Sequence, residues 1–165
     1  MSAAALLTAF LLQEVQISKD PFDPYVAVSI ELPDSAFREQ GGRRVDPFAY
    51  LSTFRLRDSG RIEHYLKLEL KYVSLGAGQP IRVSSASYEG GAEADLEVIE
   101  ATQTCTPAGT AYSYTEILSV RLPFTSWRGG ALQVQFRDRG ATWRGTVTVP
   151  AEVFAKALAT LKTIK

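Results

Sequence analysis

Residues 61–72 read RIEHYLKLELKY, and the two parities of this stretch have different chemistry. Ile62, His64, Leu66, Leu68, Leu70 and Tyr72 share one parity; Glu63, Tyr65, Lys67, Glu69 and Lys71 share the other. Successive side chains of an extended chain point to opposite faces, so the pattern predicts a long strand with one face buried and one wet. The stretch YVAVSIEL repeats it, with Val26, Val28, Ile30 and Leu32 on one side and Ala27, Ser29 and Glu31 on the other. Further strands are predicted at 14–18, 50–57, 81–88, 96–103, 112–122, 132–137 and 142–149. Parallel strands in an α/β core are covered on both faces and lack this one-sidedness, so the sheets are expected to be mainly antiparallel.

The period changes after Pro150. Val153, Phe154, Ala157, Leu158 and Leu161 recur at helical spacing, which predicts an amphipathic helix over 151–162 opened by proline. The fold class expected is therefore all-β with a short C-terminal amphipathic helix, arranged as a β-sandwich, with a closed β-barrel as the alternative. The connections SKDPFDP, LPDSAFREQGGRRVDPF, LGAGQP, EGGAEAD, TPAGT and PFTSWRGG are turn-rich but too short for interdomain linkers. Residues 14–165 are accordingly expected to form one β-rich domain. Residues 1–13 form a separate apolar segment, far short of the ~20 apolar residues that cross a bilayer. No basic start precedes it and no small-x-small cleavage site follows. It reads either as a trimmed export signal or as a helix or strand packed on the domain, and the first reading places the protein in the periplasm or outside the cell rather than in the cytoplasm.

Composition excludes several function classes. Eighteen basic residues balance eighteen acidic ones, so the chain has no field to gather polyanions and no nucleic-acid partner is expected. One cysteine, Cys105, excludes an internal disulfide and a thiolate-rich metal site; one histidine, His64, excludes histidine-based metal centres. The acidic loop with Glu89, Glu93, Asp95 and Glu97 lacks the ligand spacing of a calcium-binding EF-hand. LGAGQP has no Lys-Ser/Thr and no following helix, so it is not a phosphate loop. No metal, cofactor or transmembrane span is predicted. Any triad would have to use His64, which alternates with core residues, and no Gly-x-Ser-x-Gly elbow supplies a nucleophile.

Two further features bear on function. Glu116 alternates with Tyr112, Tyr114, Leu118, Val120 and Leu122, so its carboxylate falls on an apolar face and needs a partner there. Glu116 and His64 are thus candidate buried polar sites, and an enzymatic role would fall to them. In PFTSWRGG, Phe124, Trp127 and Arg128 combine the residue types that dominate interface hot spots and form the candidate ligand- or partner-binding site. Arg-Asp-x-Gly occurs twice, in FRLRDSGRIEHYLKL and VQFRDRGATWRGTVT, without any other feature repeating at the same offset. It reads as two hairpin turns in which Gly60 and Gly140 take positive φ, not as a duplicated active site.

The expected function is a non-enzymatic β-sandwich interaction protein, of a bacterial envelope or secretion assembly, bound to a protein partner or to itself. The alternative is a carrier of a small apolar ligand, its pocket lined by residues such as Leu66, Leu68, Tyr112 and Tyr114.

Overall fold

Among the described residues the chain forms ten strands and one helix. In the computed structural model, residues 14–41, 45–75, 80–105, 111–123 and 130–164 are described. The strands are β1 (Val15–Ser18), β2 (Tyr25–Glu31), β3 (Phe37–Gln40), β4 (Val45–Leu56), β5 (Ile62–Leu75), β6 (Val83–Tyr88), β7 (Asp95–Cys105), β8 (Ala111–Leu122), β9 (Leu132–Asp138) and β10 (Arg144–Val149). A 3-10 turn over Asp34–Ala36 precedes β3, and helix α1 (Ala151–Thr163) follows β10. One sheet runs β1-β2-β4-β5-β8-β7, the other β3-β10-β9-β6, and every pairing is antiparallel. Two open sheets packed face to face form a β-sandwich; the sheets do not close into a barrel.

The core lies between the sheets. Leu66, Leu68 and Leu70 of β5 are fully buried, as are Val28 and Ile30 of β2, Leu51 of β4, and Leu118 and Val120 of β8. Val134, Phe136, Val147 and Val149 of the smaller sheet meet them. Helix α1 lies beside that sheet against β2 and β4, through Val153, Phe154, Ala157 and Leu161. Leu158, on the expected stripe, is only half-buried. Each fully buried leucine contributes about 2 kcal/mol. A one-residue slip of β5 would replace three of them with Lys67, Glu69 and Lys71, so the register is strongly determined.

Arg55 fastens the helix. It lies on the inner parity of β4, donating through Nη2 to the Ile164 carbonyl at 2.8 Å and through Nη1 to the Leu161 carbonyl at 3.3 Å. The last carbonyls of a helix lack intrahelical partners and carry its negative dipole end, so a guanidinium there satisfies both needs.

Two strand segments were not legible as strands. β3 (FREQ) has one apolar residue in four, hence no alternation; Phe37 holds it by stacking on Trp143, with ring centroids 6.5 Å apart. The opening of β4 contains Pro47, which normally argues against an interior strand. Its pairing explains the exception. Residues 45–55 of β4 pair with β5, whereas the β2 register begins only at Tyr50, so the missing N–H falls on a locally free edge.

The two Arg-Asp-x-Gly turns differ. Gly60 has φ +69°, as expected, and its N–H donates to the Leu56 carbonyl at 2.9 Å. In the second turn the positive φ falls on Ala141, at +52°, and not on Gly140. Asp138 causes the shift: its Oδ1 accepts from the Trp143 N–H at 3.1 Å and its Oδ2 from the Thr142 hydroxyl at 2.8 Å. The loop is no longer than the first, running between Arg137 and Arg144 as the first runs between Arg55 and Ile62, but it starts two residues later in the motif and its left-handed position falls past Gly140. A Cβ at Gly145 would lie 2.5 Å from the Trp143 ring, which folds across β10 there. Gly60→Ala should therefore cost on the order of 1 kcal/mol in urea unfolding, Gly140→Ala close to nothing, and Ala141→Gly should be neutral or stabilising. An equal cost at both glycines would contradict the shifted turn.

Candidate functional site

The sequence singles out two buried polar residues, and the sheet register keeps them apart. His64 pairs with Leu122 and Glu116 with Leu70, so they are six positions apart along β5, roughly 20 Å at the rise of a strand. They do not form one site. His64 is buried, with Nδ1 2.8 Å from the Thr53 hydroxyl and its ring edge-on to Phe154 of α1. Burial holds its pKa down at about 4, so the ring is neutral near pH 7 and serves as a core side chain.

Glu116 is buried too, and its carboxylate is spent on backbone. Oε1 accepts the Arg82 N–H at 2.9 Å and Oε2 the Val83 N–H at 3.0 Å. Arg82 has φ +52°, a left-handed conformation costing a non-glycine residue about 1–2 kcal/mol. Hydrogen bonds to a charged acceptor are worth about 1.5–3 kcal/mol each, enough to hold that kink and start β6. The partner that the apolar face demanded is thus a pair of backbone amides. Phe124, Trp127 and Arg128 lie outside the described residues. Among the described residues no cluster of three or more His, Cys, Asp or Glu side chains is placed to hold a metal ion, and no helix is long and apolar enough to cross a membrane.

The residues named for a carrier pocket separate. Leu66 and Leu68 are sealed in the core, while Tyr114 stacks on Tyr72 with centroids 5.0 Å apart. That stack borders an open groove of about 780 Å³ at one end of the sandwich, with Asp46, Lys71 and Thr115 on its rim.

A different surface stands out on geometry. The smaller sheet and α1 both pack on the inner face of the six-stranded sheet, and among the described residues no layer covers the outer face. Register places Tyr25 of β2, Phe48, Tyr50 and Phe54 of β4, and Tyr65 of β5 on that outer face. Tyr25 meets Phe54 edge-on at 5.0 Å, and Phe54 meets Tyr65 edge-on at 5.5 Å, so three rings in contact cross three strands. Phe48 and Tyr50 lie 5.8 Å apart, and Lys67 stands over the Tyr50 ring at 5.9 Å. Phe48 is 42% exposed. Beneath the rings the Ser29 and Ser52 hydroxyls bond to each other at 2.9 Å.

An ion-pair cluster orients one end of this ring line. The Tyr65 hydroxyl donates to Glu63 Oε2 at 2.8 Å, while Glu63 Oε1 pairs with Arg61 at 2.6 Å and Arg121 at 3.0 Å. The Tyr65 hydrogen bond, helped by both guanidiniums, holds the Glu63 carboxyl below the usual range in spite of its burial. Burial and Glu63 push the Tyr65 hydroxyl up, so it stays a donor. Sequence reasoning missed this surface, although a signal was there: residues 47–56, PFAYLSTFRL, contain one charge and carry large apolar side chains on both parities.

Comparisons of the chain with protein families, with curated proteins and with solved structures find no match.

Two outcomes follow from the buried groups. Because the His64 pKa drops from 6.5 to about 4 on folding, the unfolded chain binds more protons between those values, and stability falls as pH drops through that window. Wild type should lose about 2 kcal/mol in urea unfolding between pH 7 and 5, and a Thr53→Val/His64→Leu protein much less. Equal losses would exclude His64 as the cause. Glu116→Ala should cost on the order of 2 kcal/mol and speed amide exchange at Arg82 and Val83; unchanged exchange there would remove the carboxylate from the role of strand anchor.

Proposed function

We propose that the protein is a non-enzymatic binding module that docks a partner protein on the aromatic outer face of its six-stranded sheet. The line of rings Tyr25, Phe54 and Tyr65, extended by Phe48 and Tyr50, carries this reading. The exposed face of an antiparallel sandwich is ordinarily polar. The outer face of the smaller sheet obeys that rule with Arg38, Gln133, Gln135, Arg137, Thr146 and Thr148. Tyrosine and phenylalanine, by contrast, are enriched where partners dock, because a rigid ring presents much contact area at little entropic cost. Lys67 and the Glu63–Arg121 pair give the patch a polar rim.

The close packing of Leu66 and Leu68 supports a binding surface over an enclosed carrier pocket. A photo-crosslinking residue at Phe48 or Tyr25 should capture the same protein partner in cells, while one at Gln135 or Thr148 should capture none. Adducts confined to the polar face, or different sets from the two aromatic positions, would overturn the assignment.

A further inference from the structure

The six-stranded sheet ends on one side in β1, four residues long, and on the other in β7, eleven residues long. Every residue of β7 but Leu96 is exposed, Val98 and Ile99 by 46% and 51%. An uncovered edge offers unpaired backbone groups to an added strand, and proteins commonly block such edges with charges, bulges or proline. β7 has a bulge at Val98–Glu100 and three carboxylates, with no lysine or arginine.

The arrangement of those carboxylates does more than block. Asp95 pairs with Arg121, Glu97 with Ser119 and Glu100 with Ile117, partners that alternate along β8, so the bulge keeps all three acids on the outer face. Leu96, Val98 and Ala101 pair with Val120, Leu118 and Glu116 and so share the inner face. There Val98 and Ala101 border a groove of about 290 Å³ that is also lined by Pro80, Arg82, Val83 and Glu116. Among the described residues none of the three carboxylates has an ion-pair partner.

The geometry points to β7 as a docking edge for an extended basic segment of a partner protein, added as a seventh strand. Opposite residues of paired strands share a face, so the code reads directly. The incoming strand carries Lys or Arg at positions i, i+2 and i+4, facing Asp95, Glu97 and Glu100. At i+1, i+3 and i+5 it carries small or branched apolar residues, facing Leu96, Val98 and Ala101, the last two covering the groove. The ladder supplies affinity and the alternating charges select register and partner. A second copy pairing through the same edge would bring two rows of carboxylates together, which opposes self-association there.

This edge stands apart from the aromatic face. A capped ten-residue peptide alternating lysine and valine, followed by fluorescence anisotropy, tests it against two controls: the same composition in blocks, and glutamate in place of lysine. The alternating peptide should saturate and bind roughly tenfold tighter than the block peptide, the gain expected from three matched cross-strand pairs. High salt should weaken it, and amide exchange should slow along β7. Glu97→Lys/Glu100→Lys should transfer the preference to the glutamate peptide while leaving capture at Phe48 unchanged, which separates failure at this edge from failure at the aromatic face. Equal binding of alternating and block peptides, slowed exchange on β4 and β5 instead of β7, or a wild-type dimer joined through β7 would each overturn the proposal.

Discussion

The buried face of β5 is what the rest of the molecule is arranged around. Leu66, Leu68 and Leu70 have no exposure, and the strand pairs with β4 on one side and β8 on the other along nearly its whole length. That single parity decides which side chains of both neighbours turn inward: Leu51 and Thr53 of β4, Leu118 and Val120 of β8. It then decides where the second layer must lie, because the smaller sheet and α1 both need an apolar surface and the sheet built on β5 offers it on one side. The loss from shifting this strand by a residue, about 2 kcal/mol for each displaced leucine, is a large share of the ~5–15 kcal/mol that holds a typical domain folded.

Four polar side chains in or beside this core have hydrogen-bond partners and mark places where regular packing ends. Arg55 meets the end of the helix, His64 and Thr53 pair beneath Phe154, and Glu116 holds the kinked start of β6. His64 and Glu116 look in sequence like candidate chemistry. Their hydrogen bonds are directed at backbone ends or a hydroxyl, and their common effect is to seat α1 and β6 on the larger sheet. A carboxylate on an apolar face identifies a constrained position; it does not distinguish an active site from a strand anchor until its acceptor oxygens are followed.

The strands with clean alternation were legible to within a few residues, as was the helix, because one buried face against one wet face leaves a period that sequence preserves. β3 and the opening of β4 were not, since Phe37 alone anchors the first and Pro47 disguises the second. The left-handed residue in the second Arg-Asp-x-Gly turn moved to Ala141 because Asp138 bonds forward to Thr142 and Trp143, a tertiary choice the four-residue motif does not encode. The candidate surface was half legible. An uncharged run through β4 signals a strand apolar on both faces, but which rings meet across strands depends on register, and register depends on β5.

The aromatic face and the acidic edge present different problems to solvent, and the same sheet meets both. Rings on the outer face are partly shielded by one another, and the Lys67 ammonium stands over Tyr50, so the face is tolerated in water while keeping apolar area in reserve. The β7 edge cannot shield itself in this way, since its backbone groups face outward whatever its side chains are. Three like charges on one face repel another copy of the same edge and are indifferent to neutral strands, while a strand of opposite sign relieves them. In a chain whose total charge is zero, a row of carboxylates on one edge strand, without ion-pair partners among the described residues, is a local electrostatic choice, and it discriminates among strands that backbone hydrogen bonding alone would accept equally.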